Sequence, residues 1–153
     1  MKRLLILFII AALAGGTTRT FAYNTASAKD SLLQVLDTLP VGESRFATLY
    51  SLAYLDPMSP SCVYYLGKLL DEATQHGNKY YQCLALYAHV VYYYNHQDEE
   101  NTASWMDKLA ETAIENKQYD LYFEGKRAEI TIYIIKHQIE YSKPKRCLSW
   151  HKN

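Results

Sequence analysis

The sequence predicts an all-α chain built from antiparallel helix pairs, and three observations carry that prediction. Only 6 Gly and 4 Pro interrupt 153 residues, so the elements run long. Turn signals beyond residue 22 divide the chain into six segments, and each spaces its apolar residues at a helical period rather than a period of two. Two of these segments recur about 40 residues further on with the same apolar, aromatic and small residues in register. A chain of this length allows one domain, and 49% hydrophobic with 21% charged residues is an ordinary folded composition.

The first segment reads as a secretory signal. Met1-Lys2-Arg3 is a basic start, Leu4 to Ala14 is an apolar run, and Thr20-Phe21-Ala22 ends on a small residue suited to cleavage. A spanning helix needs about 20 apolar residues, and Gly15, Gly16, Thr17, Thr18 and Arg19 interrupt this run. The expected division is therefore signal peptide 1–22 with cleavage at Ala22, a helical domain over 23–142, and a basic tail over 143–153. Export to the periplasm or cell envelope follows, with no membrane span once the signal is removed.

The expected helices are 30–39, 43–55, 61–77, 79–95, 99–117 and 119–141, with Asp30, Ser59 and Asp98 as N-caps and Gly77 as a stop. The fourth and sixth are rich in Tyr, Val and Ile, which favour strands. Their lengths of 17 and 23 residues without a turn signal decide for helix, because strands rarely exceed about ten.

Sliding the third and fourth segments forward by 40 matches Tyr65 to Trp105, Leu69 to Leu109, Ala73 to Ala113, Cys83 to Phe123, Ala88 to Ala128, Val90 to Ile130 and Tyr93 to Tyr133. A shift of 41 aligns His96-Gln97 with His137-Gln138. Large residues at these positions fill the groove inside a helix pair, and the alanines let backbones approach. Tyr65, Leu69, Ala73, Ala88 and Tyr93, with Trp105, Leu109, Ala113, Ala128 and Tyr133, are thus the expected repeat-packing residues.

The layout resembles the tetratricopeptide-like repeats, in which one helix carries an aromatic, a leucine one turn later and a small residue, and the next carries an alanine amid aromatics. The unit of about 40 residues exceeds the family's usual 34, the characteristic Gly appears only as Gly67, and the closing Pro is absent. The resemblance spans 30–141, with 30–55 as a degenerate first repeat or cap, and implies a short TPR-like α-solenoid. With the signal peptide and the "DSLLQVLDTLP" opening, the Tyr-rich repeats also resemble the exported sensor region of bacterial envelope histidine kinases and regulators. That resemblance implies a sensor portion or a truncated product, since no span, kinase motif or DNA-binding motif accompanies it.

Chemistry is sparse. Without the signal the chain carries 13 basic and 16 acidic side chains, and four of the basic ones, Lys143, Lys145, Arg146 and Lys152, sit in the tail. The folded part is acidic, so nucleic acid is excluded as a partner. Cys62 and Cys83 fall near the starts of successive antiparallel helices, about 16 Å apart along the axis at 1.5 Å per residue. A disulfide needs Cα atoms within about 7 Å, so thiols are expected. His76, His89 and His96 come without HExxH, a paired-Cys motif or a carboxylate cluster, so no metal site is assigned. No GxSxG or glycine-rich phosphate loop occurs, no cofactor or catalytic residue is assigned, and Asp98-Glu99-Glu100 reads as a helix start favoured by the dipole.

The expected function is non-enzymatic binding of a protein, peptide or ligand. The rival reading is a carbohydrate or small-molecule pocket made from Tyr64, Tyr80, Tyr87 and Tyr92 to Tyr94. Three consecutive helical residues point about 100° apart, so Tyr92-Tyr93-Tyr94 cannot form one platform and at most one faces a partner. The last helix carries Ile130, Ile132, Ile134, Ile135 and Ile139, which cannot all meet its own partner helix. Ile130, Ile134 and Tyr94 are the expected partner surface, and self-association through the C-terminal helix is the expected consequence.

Overall fold

The computed structural model describes residues 18–142, with side chains described from 26 to 138. The basic tail and most of the signal segment lie outside these residues, and so does the side chain of Ala22. Six helices follow one another: α1 Thr18–Thr38, α2 Glu43–Leu55, α3 Pro60–Gln75, α4 Lys79–Asn95, α5 Glu99–Glu115 and α6 Tyr119–Ser142. No strand occurs among the described residues. Each helix packs on the next, and α4 also packs on α6, which gives a run of antiparallel hairpins in a helical-repeat arrangement.

The third and fifth expected helices end two residues early, at Gln75 and Glu115, and the largest difference from expectation is the start of α1. Asp30 does not cap a helix, because α1 begins at Thr18 and runs through it. The stretch Thr25-Ala26-Ser27-Ala28-Lys29 holds neither Gly nor Pro to stop the turn, and Ser31 Oγ returns a hydrogen bond to Ser27 O at 2.9 Å inside the continuous helix.

Three consecutive turns repeat one device at 20-residue intervals. After α3, α4 and α5 the chain passes through a left-handed residue, Gly77 (φ 65), Gln97 (φ 57) and Lys117 (φ 59). Each turn makes both hydrogen bonds of a Schellman motif: Asn78 N–H to Ala73 O and Gly77 N–H to Thr74 O, with the same pairs at 98/93 and 97/94 and at 118/113 and 117/114. The residue before each left-handed position donates from its side chain to the carbonyl four back, His76 Nδ1 to Glu72 O, His96 Nδ1 to Tyr92 O and Asn116 Nδ2 to Thr112 O. Asn78 and Asp98 then cap the next helix by accepting from Tyr81 N–H and Asn101 N–H. Ser59 caps α3 by accepting from Ser61 N–H, with Pro60 in the first turn. A helix plus its turn is therefore 20 residues, and two of them make the 40-residue repeat.

The core divides into two clusters with α4 between them. Leu36 of α1, Phe46, Leu49 and Leu52 of α2, Tyr65, Leu66 and Leu69 of α3, and Ala85 and Ala88 of α4 form the first. Cys83, Leu86 and Val90 of α4 with Met106, Leu109 and Ala113 of α5 form the second, and Trp105 and Ala128 pack on it half-buried. Ala73 is buried as well. Gly125, 40 residues after the buried Ala85, marks where α6 approaches α5: a Cβ there would stand 2.5 Å from Leu109 Cδ2 and 3.0 Å from Met106 Sδ. Cys62 and Cys83 are free and buried.

The burial pattern of the repeat is not kept along the outer face of α6. Phe123 is 65% exposed where Cys83 is fully buried, and Ile130 is 50% exposed where Val90 is fully buried. The expectation that Tyr133 packs between hairpins is corrected, since it is 56% exposed. Among the described residues no further helix packs on this register. Tyr133 instead forms an i, i+4 ring pair with His137 at 4.1 Å, the same pair that Tyr92 forms with His96.

Arg45 ties the first three helices together. Its guanidinium makes two bonds to the Glu72 carboxylate, Nε at 2.7 Å and Nη2 at 2.9 Å, while Nη1 donates to Leu36 O at 2.7 Å. Both side chains are 16% exposed, and the Leu36 carbonyl at the end of α1, which otherwise accepts only a long 3.4 Å bond from Leu39 N–H, gains a charged donor.

Candidate functional site

Helix α4 is apolar nearly all round, the pattern of a helix with more than one buried face. Tyr81, Ala85, Ala88 and Tyr92 turn toward the first cluster, and Cys83, Leu86 and Val90 toward the second. What remains open is a stripe at helical positions i, i+7, i+11 and i+14: Tyr80, Tyr87, Val91 and Tyr94. Tyr80 is exposed, and Tyr87 and Tyr94 are half-buried. The floor of the open face is thus mostly phenol rings.

Helices α2 and α6 form the two walls. Tyr50 and Tyr54 of α2 pack ring to ring at 4.7 Å with a 40° tilt. Burial pushes the Tyr50 phenol well above its ordinary pKa, helped by a hydrogen bond with Tyr54 and by the nearby phenols of Tyr87 and Tyr80. Tyr87 is raised first by burial, then by Tyr54 and Glu124, with Arg127 acting the other way. From α6 come Glu124 and Arg127, paired with each other, and Thr131.

These walls leave a chain of adjoining grooves. One of ≈ 180 Å³ lies among Tyr54, Pro57, Cys62, Val91, Tyr92 and Asn95. The next, ≈ 340 Å³, shares Val91 and Asn95 and adds Tyr87, Tyr94, Glu124, Arg127 and Thr131. A third, ≈ 240 Å³, continues past Tyr94 and Asn95 to Ile132, Ile135 and Lys136. Together they make a trough along α4 that crosses from α2 to α6.

The trough is built for contact. Its phenols offer ring faces with hydroxyl donors and acceptors, while Asn95 adds an amide and Glu124–Arg127 an ion pair. The Cys62 thiol at its edge is pushed up to about 11 by burial, so it is not a thiolate at neutral pH. His89 lies on the opposite side of α4, fully buried, with Nδ1 donating to Ala85 O at 2.9 Å and its ring stacked on Trp105 at 3.9 Å. Lys108 Nζ covers the far face of that indole at 4.0 Å from the ring centre. No group of three His, Cys, Asp or Glu positioned for a metal occurs among the described residues, and no described helix is long and apolar enough to cross a membrane.

The expected partner residues do not form one patch. Tyr94 lines two grooves of the trough. Ile130 lines a separate groove of ≈ 300 Å³ between α5 and α6, with Glu99, Ala103, Glu129 and Tyr133. Ile134 is exposed on α6 and lines none of these grooves. Of the tyrosines proposed for a sugar pocket, Tyr80, Tyr87 and Tyr94 share the open face of α4, and Tyr92 opens into its first groove. Tyr64 stands exposed beside Tyr65 on α3, outside the trough. Tyr93 is half-buried on the other side, with its ring parallel to Trp105 at 6.5 Å. Sequence reasoning missed Tyr50 and Tyr54; their i, i+4 spacing on α2 and the seven-residue spacing of Tyr80, Tyr87 and Tyr94 were the available signals.

Comparison with protein-family models, with curated proteins and with solved structures finds no match.

Proposed function

We propose that this protein is an exported, non-enzymatic helical-repeat protein of TPR-like kind. In this reading it binds an extended peptide or protein segment in the tyrosine-floored trough and acts as the sensing part of an envelope signalling system. The observation that carries the binding reading is that the open face of α4 is lined by Tyr80, Tyr87 and Tyr94, with Tyr50 and Tyr54 rising beside them. Tyrosine supplies large contact area at low conformational cost because only two side-chain torsions are immobilised. From Tyr80 to Tyr94 the open tyrosine stripe runs about 21 Å at 1.5 Å per residue, long enough for about six extended residues. The basic start and apolar run before residue 18 support export, and the 40-residue repeat supports the family relationship.

The test is selection from a displayed random peptide library on the whole chain, followed by titration calorimetry with the selected peptides. Tyr87→Ala and Tyr94→Ala should each weaken binding by about tenfold or more, the loss of one ring contact of roughly 1.4 kcal/mol, while Tyr64→Ala should leave it unchanged. Selection of no peptide, with saturable heat from oligosaccharides that Tyr87→Ala abolishes, would transfer the trough to the carbohydrate reading. Trp105 fluorescence does not report on this site, because Trp105 stacks on His89 on the far side of α4.

A further inference from the structure

The outer face of α6 carries a second surface, which meets the trough only at Glu124 and Arg127. Phe123 and Ile130 occupy the register that Cys83 and Val90 hold on α4, where α5 covers it. On α6 the same register is open, with Phe123 at 65%, Ile130 at 50%, Tyr133 at 56% and Ile134 at 45% exposure. At 100° per residue Ile130 lies at the centre of this face, diametrically opposite the buried Gly125, Ala128 and Ile132. Its four apolar side chains are flanked by Lys126 and Arg127, each held by an i, i+3 carboxylate, Glu129 and Glu124.

We propose that this face is a homodimer interface, in which α6 of a second copy lies antiparallel across it with the two-fold axis at Ile130. Charge decides the occupant and the direction. A parallel pairing swaps the edges of the face and brings Lys126 against the partner's Arg127 twice, gathering four cations at one end, which is unfavourable. The antiparallel pairing about Ile130 keeps each edge of the face on its own side and sets residues at nearly equal distances from the axis against each other, Lys126 four before it against Tyr133 three beyond, and Arg127 three before it against Ile134 four beyond. Lys126 then lies over the partner's Tyr133 ring on the same edge of the face, a cation–π contact made twice. The stem of Arg127 runs along the partner's Ile134, and Ile130 meets the partner's Ile130 at the axis. The surface is therefore complementary to itself, the cationic end of each face meeting the apolar and aromatic end of the other, as a two-fold contact requires. A helix of 24 residues is about 36 Å long, so a contact between two single helices is at the small end of stable interfaces, and the expected dissociation constant is micromolar.

The test is sedimentation velocity on the whole chain, from roughly 1 to 300 µM. Expected is a monomer–dimer equilibrium that closes at the dimer. Ile130→Asp should keep its helical circular dichroism, since the side chain is half exposed, and raise the dissociation constant by roughly 30-fold or more, because two apolar contacts are lost across the axis. Ile130→Cys, with Cys147→Ser to remove an unrelated thiol, should form a disulfide-linked dimer under mild oxidation faster than Ile114→Cys, a comparably exposed site on α5. A monomer throughout the range overturns the proposal. So does growth beyond the dimer, which means head-to-tail stacking, and so does an Ile130→Cys cross-link no faster than that of Ile114→Cys.

Discussion

The three left-handed turn residues form a set in which two substitutions should stabilise the protein and one should destabilise it. Gln97 at φ 57 and Lys117 at φ 59 hold a conformation that crowds Cβ against the backbone, at a cost of roughly 1–2 kcal/mol for a non-glycine residue. Gln97→Gly and Lys117→Gly remove that cost and add back about 0.4–1 kcal/mol for the extra freedom of glycine in the unfolded chain. Each should therefore gain about 0.5–1 kcal/mol. The two turns sit at opposite ends of α5, 17 residues long and so about 26 Å, and their effects should add. Gly77→Ala runs the other way, losing about 1 kcal/mol; a Cβ at Gly77 meets nothing within 4 Å, so the loss is a backbone effect alone. Urea unfolding followed at 222 nm gives the free energies, with unchanged slope expected, and melting should shift by about 3–5 °C per kcal/mol. A destabilised Gln97→Gly or Lys117→Gly, or an indifferent Gly77→Ala, would refute the reasoning.

Gly125→Ala should destabilise by about 1–3 kcal/mol through overpacking against Leu109 and Met106, and the double-mutant cycle with Leu109→Ala in urea should show coupling of opposite sign. Arg45→Ala should cost about 2 kcal/mol, discounted from the value for a fully buried pair because both partners keep 16% exposure; Arg45→Lys should recover little, since an ammonium cannot make the bidentate contact. Burial lowers the His89 pKa below its ordinary 6.5, outweighing the Ala85 hydrogen bond that raises it, with Lys108 lowering it further. The folded state thus binds the proton less readily than the unfolded chain, so this contribution to stability is intact above pH 6.5 and is lost as pH falls below it. Unfolding titrations at pH 7.5 and 5.5 should show a larger drop for the wild type than for His89→Gln, and equal drops would reject the assignment.

Much of the fold was legible because its signals are local. The bounds of α2 and α4 follow from a Gly-Glu junction, a Gly-Asn turn and an Asn-His-Gln-Asp turn, all read within a few residues. The 40-residue repeat was visible, while the 20-residue period of the turns was not, since His76-Gly77-Asn78, His96-Gln97-Asp98 and Asn116-Lys117-Gln118 share a backbone path and a capping pattern but no common residue at the left-handed position. Tyr133 was misplaced because the repeat pairs residues by number, whereas burial depends on whether a neighbouring helix is there. Arg45 and Gly125 act through residues 27 and 16 positions away, and nothing in their local sequence names those partners.

By itself the sequence determined that the chain is helical, where most helices begin and end, and that its hairpins stack. Those outcomes depend on periodicity, caps and turn chemistry acting over a few residues. Only the tertiary structure decided which tyrosines face outward. Helix α4 is apolar around most of its circumference, so its pattern does not select a face. The packing of α3 and α5 against two of its sides leaves Tyr87 and Tyr94 lining the trough with Tyr80 exposed on the same stripe, and it turns Tyr93 toward Trp105.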